Sequence, residues 1–203
     1  MALAGFEFRH YDAGSAKAIT GQLIDVYLEV YGAEGGEFYS EDRYREQLRN
    51  HMTADGWELV AAWAGAELAG YVYGFPLPPG SRWWRGLLTL VDVAVTEETG
   101  SRTFAVSELM VRERWRRQGL GHALHDEILT GRHEERATLL VEQDNEPALA
   151  AYARWGWTEL GKLRPSWAGA PELDALVLPL RPDRANANGS HAGRIGGSGS
   201  AKL

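Results

Sequence analysis

A strong strand that runs into a basic, glycine-containing loop and then into a helix limits this chain more than any other feature. Between Thr103 and Val111 the side chains alternate, so that Phe104, Val106, Glu108 and Met110 are expected on one face and Ala105, Ser107, Leu109 and Val111 on the other. Arg116-Arg117-Gln118-Gly119-Leu120-Gly121 follows. From Gly119 to Leu129 the period becomes helical, with Leu120, Ala123, Leu124 and Ile128 on one stripe. The first turn of a helix carries N–H groups without intrahelical partners, and the helix dipole adds partial positive charge. Glycine at 119 and 121 removes side chains that would block an anion from the backbone, and the arginines add charge-assisted donors. A solvated strand-to-helix turn is the plainer alternative. No Lys-Ser/Thr pair follows the glycines, and the Gly-x-Gly-x-x-Gly spacing is missing, so neither a P-loop nor a dinucleotide fold is indicated.

Around this unit the chain reads as one mixed α/β domain over residues 1–180. A strand at Phe6–His10 precedes a helix from Ser15 to Tyr31. Ser40 is an N-cap candidate for a second helix with Tyr44, Leu48 and Met52 on its apolar stripe. Trp57–Trp63 and Leu68–Phe75 read as a hairpin turning at Gly65. Residues 76–100 form a long irregular segment containing Trp83-Trp84, either a binding loop or a short packed helix. Thr138–Glu142 is a further strand, Asn145 caps a helix closed by Gly156, and Trp157–Leu163 and Leu173–Leu180 are the last strands. Residues 181–203 are rich in Ala, Asn, Gly and Ser and are expected to form a flexible tail.

Several functions are excluded or disfavoured. There is no cysteine, hence no disulfide, thiolate metal site or thiol nucleophile. Residues 1–180 hold 17 basic against 27 acidic side chains, a poor match for nucleic acid or an anionic membrane. No apolar run approaches the roughly 20 residues that span a bilayer, and no secretory signal opens the chain. A cytoplasmic protein is expected. His122 and His125, with Asp126 nearby, lack a further ligand at suitable spacing and are expected to be solvated helix histidines, so no metal is predicted.

Arg-x-x-Gly-x-Gly after a strand ending Leu109-Met110-Val111 resembles the acetyl-CoA signature of the GNAT acetyltransferases. Asn145, Ala148, Tyr152, Gly156 and Trp157 are similar to that superfamily's Asn-x-x-Ala-x-x-x-Tyr-x-x-x-Gly-aromatic segment. The resemblance covers roughly residues 5–180 in element order and is specific over 103–163. It implies a mostly antiparallel sheet flanked by helices, splayed between the strand at 103–111 and the next. It also implies acetyl-CoA as co-substrate, with the backbone of Leu109, Met110 and Val111 along the pantetheine arm. Arg116, Arg117, Gln118, Gly119, Leu120, Gly121 and the N–H of His122 would hold the pyrophosphate, Asn145 would fix the arm, and Tyr152 would protonate the leaving thiolate.

The base is not named by either motif. Glu108, an acid on an apolar strand face, is the first candidate because desolvation would raise its pKa. Glu142 and a water chain remain open. Trp83 and Trp84 are candidates for the acceptor pocket. The implied reaction is direct acetyl transfer to a primary amine, most simply a small cationic one given the acidic body. The competing reading is an acyl-CoA-binding sensor or scaffold without turnover. A homodimer is compatible with the sequence, which carries no signal of assembly.

Overall fold

The computed structural model describes residues 3–32, 39–166 and 170–180. The segment 181–203, expected to be a tail, lies outside the described residues. Seven strands form one sheet: β1 (Glu7–Asp12), β2 (Glu58–Ala64), β3 (Glu67–Pro76), β4 (Thr103–Val111), β5 (Arg136–Glu142), β6 (Thr158–Leu163) and β7 (Leu173–Pro179). Their order is β1-β2-β3-β4-β5-β7-β6. Every neighbouring pair is antiparallel except β4 and β5. The helices are α1 (Thr20–Tyr31), α2 (Glu41–His51), the one-turn α3 (Val93–Thr96), α4 (Leu120–Leu129) and α5 (Glu146–Arg154). Residues Ser15–Ile19, expected to open the first helix, are a tighter 3-10 turn.

Local chemistry sets the helix starts. Ser40 accepts a hydrogen bond from the Arg43 N–H at 3.4 Å, and Glu41 and Asp42 occupy the positive end of α2. Asn145 Oδ1 accepts from the Ala148 N–H at 3.2 Å to begin α5. Tertiary packing then sorts the helices. On one sheet face α1 and α2 cover Leu59, Ala61, Tyr71, Tyr73 and Met110. On the other, α4 and α5 cover Val60, Val72, Phe104, Val106, Leu139 and Leu176. Burial of such residues at about 25 cal/mol per Å² of apolar surface is the main stabilising term.

The alternation expected along β4 does not persist. Tyr73 pairs with Glu108 but Gly74 pairs with Val106, so Ser107 is an extra residue in the strand. Such a β-bulge switches which side of the sheet the following residues occupy. Phe104 and Val106 pack with α4, whereas Met110 packs beneath α1 and α2. Glu108 therefore shares a face with Met110, not with Phe104 and Val106 as the pattern predicts.

The long segment before β4 does not form the short packed helix that was one of its two readings, since α3 buries none of its residues. It contains the short α3 and a strap laid along β6: Leu88 N–H donates to the Lys162 carbonyl at 2.7 Å, and Arg164 N–H to the Gly86 carbonyl at 2.9 Å. Gly86 has φ +93°, and a Cβ there would collide with the Arg164 carbonyl, so the strap needs glycine at this crossing. Among the described residues no helix is long and apolar enough to cross a membrane.

Candidate active site

Strands β4 and β5 stay paired only from Thr103–Ala105 against Arg136–Thr138 and then diverge. Beyond that point β5 is satisfied by β7 on its other side. In an antiparallel ladder only alternate residues bond a given neighbour. Arg112 N–H bonds the Ala69 carbonyl at 2.9 Å, which places the peptide groups of Met110 and Glu108 toward β3. Those of Leu109 and Val111 consequently face the opening. The Val111 carbonyl is taken by Arg116 Nε at 3.0 Å, leaving the Val111 N–H and both groups of Leu109 for a ligand. Met110 contributes no side chain here, since it is 2% exposed and lies in the core under α1.

At the mouth of this opening Arg117 has φ +59° and Gly119 φ +84°. A non-glycine residue in the left-handed region costs about 1–3 kcal/mol and persists where surrounding structure or function holds it. Gly119 is the N-cap of α4 and has no side chain to cap the helix. Because Ala123 N–H is the first to bond back to Gly119, the N–H groups of Leu120, Gly121 and His122 have no intrahelical acceptor. A Cβ at Gly119 would meet nothing within 4 Å, so the space before the helix is open. The Leu120 side chain is buried, Gln118 donates back to the Arg114 carbonyl, and the half-exposed His122 ring stacks on Trp155. The loop thus fits a pyrophosphate held by backbone donors and two exposed arginines, Arg116 and Arg117.

Further along, a cleft of about 220 Å3 is lined by Glu108, Leu109, Glu142, Asn145, Tyr152 and Gln47, among others. It joins the opening beside Arg116 through Tyr31, Leu109, Glu142, Asn145 and Ala148. Glu108 Oε1 accepts from Gln47 Nε2 at 2.6 Å. Burial raises the Glu108 carboxyl to about 7, against the smaller opposing effect of that hydrogen bond. Burial also raises the Tyr152 phenol, and the Glu108 charge adds to it. Glu142 is committed differently, accepting from Tyr39 Oη at 2.7 Å. Asn145 spends its side-chain oxygen on capping α5 while its residue lines both parts of the groove.

Sequence reasoning did not single out Gln47, His51 or Ser107. Ser107 Oγ and Tyr73 Oη each lie 3.1 Å from His51 Nδ1, and burial lowers His51 to about 4, so the ring is neutral at pH 7. A signal was present in Gln47 and His51, two polar residues at i, i+4 beside the Tyr44–Leu48 stripe of α2.

Two expectations are corrected. Trp84 does not line the groove: it is 6% exposed, packs with Leu77, Ala105, Leu163 and Ala175, and donates Nε1–H to Glu98 at 2.8 Å. Only Trp83 faces a cleft, which adjoins the central one. His125 is not solvated but 4% exposed, with Nε2 accepting from Trp157 Nε1–H at 3.0 Å; its position on the inner side of α4 decides this. His122, His125 and Asp126 cluster closely enough to hold an ion, yet the Trp157 bond occupies one imidazole nitrogen.

Comparison with known proteins agrees with this geometry. The family model described as Acetyltransferase (GNAT) family matches residues 22–157. The chain is 30% identical over 195 residues to GCN5-like protein acetyltransferase Rv2170 of Mycobacterium tuberculosis, covering 79% of this chain and 92% of that protein. Among solved structures, an aminoglycoside 6'-N-acetyltransferase complexed with coenzyme A superposes with a TM-score of 0.61 at 15% identity, covering 87% of this chain and 98% of the other. An acetyltransferase from Streptococcus agalactiae gives 0.62 at 12% identity, over 87% and 99%. These last two likenesses concern the fold. With the splayed strands, the uncapped helix start and the family match in agreement, the chain belongs to the GNAT family of acetyltransferases and has acetyl-CoA as its co-substrate.

Proposed function

We propose that this protein transfers acetyl from acetyl-CoA directly to a primary amine of a small molecule, with Glu108 as general base and Tyr152 as general acid. The observation that carries the reading is the presence of both groups in one cleft, at the place where β4 and β5 part. Acetyl-CoA supplies an activated thioester. Both peptide groups of Leu109 and the N–H of Val111 are disposed to pair with its arm as an added strand would, and the loop Arg116–Gly121 with the N–H of His122 to hold its pyrophosphate. An alkylammonium cannot attack until it loses a proton. Glu108, with a pKa near neutrality and no arginine or lysine partner, is matched to accept it. Its part-buried charge also attracts an ammonium. Tyr152 stays protonated through the neutral range and can donate to a leaving thiolate. Trp83 and the neighbouring cleft belong to the acceptor side. The aminoglycoside acetyltransferase supports a small amine, while the mycobacterial relative is named a protein acetyltransferase.

Thiol release from acetyl-CoA across a panel of small amines and a lysine peptide tests the reading. Release should accompany at least one small amine, and kcat/KM should fall as pH drops below about 7, because protonated Glu108 cannot take the ammonium proton. Release with the peptide alone would overturn the small-molecule acceptor. Binding of acetyl-CoA without any release would leave a binding module.

The loop can be tested without turnover. At a hundredfold excess over its Kd, acetyl-CoA should stabilise the protein by about 2.7 kcal/mol, a rise of roughly 5–10 °C in Tm. Gly119→Val should abolish that shift, because the branched side chain enters the space before α4 and the backbone is left-handed. A folded Gly119→Val protein with a normal shift would move the pyrophosphate elsewhere.

A further inference from the structure

More than half of the arginines among the described residues of this acidic protein are matched to carboxylates. Arg9, Arg45, Arg102, Arg112, Arg114, Arg132, Arg136 and Arg164 each make an ion pair. Setting aside Arg49 and Arg154 on exposed helix faces, two groups lack a carboxylate partner among the described residues. One is Arg116 and Arg117, at the loop suited to a pyrophosphate. The other is Arg82 and Arg85, on the strap before β4. Both line a cleft of about 550 Å3 together with Arg43, His51 and Trp83, and Glu46 is the one acidic residue of that lining. His51 is held neutral by burial and adds no positive charge of its own. The indole N–H of Trp83 is shielded from solvent and has no acceptor among the described residues.

This cleft meets the central one through Gln47, Ser107 and Leu140. An acceptor amine reaching Glu108 from that side would leave the rest of its molecule among the arginines. The strap presenting them is not a loose loop, since Leu87 bridges Leu163 and the Gly86 carbonyl is bonded by Arg164 N–H. A volume of this size suits a small molecule rather than a protein surface.

We infer that the acceptor is a small amine that also bears an anionic group, a carboxylate or a phosphate, received by Arg82 and Arg85. The inference rests on the proposed acetyl transfer for the position of the amine, and it narrows the simple cationic acceptor that the overall charge suggests. The part-buried carboxylate of Glu108 receives the ammonium end and the arginines the anionic end. Fixing both ends orients the nitrogen toward the thioester.

Matched pairs provide the test: 2-aminoethyl phosphate against ethanolamine, and an amino acid against its amide. Calorimetric titration of the CoA-saturated protein reads recognition without turnover, and thiol release reads the reaction. The anionic member of a pair should bind, and react in kcat/KM, at least about tenfold better. The Arg82→Gln/Arg85→Gln double variant should raise the KM of that anionic amine about tenfold or more, with Tm and acetyl-CoA affinity unchanged, and Arg82→Lys/Arg85→Lys should recover part of the loss. The effect should shrink at high salt. Equal binding of both members, or a folded double variant with unchanged KM, would overturn the inference. Preferential binding of the anionic member with no thiol release from any amine would retain anion recognition and sink acetyl transfer instead.

Discussion

Glu108→Gln is expected to lose activity and gain stability at the same time. The amide preserves shape and can still accept from Gln47 but cannot take a proton, so kcat/KM should fall by about 10²–10⁴ with acetyl-CoA affinity intact. The stability change follows from the direction of the pKa shift. Glu108 is raised from 4.5 to about 7 in the folded protein, so the carboxyl is comfortable when protonated and its favourable contribution is lost as pH rises through about 7. Glutamine does not titrate. Near pH 8 the variant should be more stable by up to about 3 kcal/mol, since 1 pK unit is about 1.4 kcal/mol, and the difference should vanish near pH 4.5 and below. Thermal melts of both proteins across that range check the sign. A variant that is equally stable at pH 8 would mean that Glu108 is not ionised at a desolvated position, and retained activity would hand the base role to water.

Tyr152→Phe should behave differently: a kcat lower by about 10²–10⁴, or roughly 3–5 kcal/mol of barrier, with little change in stability. The hydroxyl makes no hydrogen bond to any described residue, so its deletion strands no partner, and the ring keeps its edge contacts with Trp155 and Trp157. Acetyl-CoA should still bind. Thioesters with poorer leaving groups should suffer more, because they depend more on protonation. If more than about a tenth of kcat survives while chemistry limits the rate, Tyr152 is a packing aromatic and the proton comes from water.

The contrast between these two positions shows how unevenly the site was legible. Tyr152 stands out by its spacing from Asn145 and Gly156, which is local information along one helix. Glu108 was singled out as a candidate base because its strand alternates, yet the face assigned to it was wrong beyond Ser107, since a bulge depends on what the partner strand does at Gly74. Trp83 and Trp84 are indistinguishable by composition and adjacent in sequence. One lines a cleft and the other fills a small core, because the strap is pinned to β6, some 75 residues later. His125 reads as a solvated helix residue until Trp157 is seen to donate to it.

By itself the sequence determined the family and the order of elements, and it singled out the loop proposed to accept the pyrophosphate. These depend on spacing within one strand–loop–helix unit and one helix, where hydrogen-bonding needs and side-chain period act over a few residues. The tertiary structure alone decided where β4 and β5 part, which tyrosines and which glutamine surround Glu108, how far its carboxyl is removed from water, and that Arg82 and Arg85 line a cleft with no carboxylate paired to them among the described residues. Burial and charge balance are sums over elements distant in the chain, and no local pattern carries them.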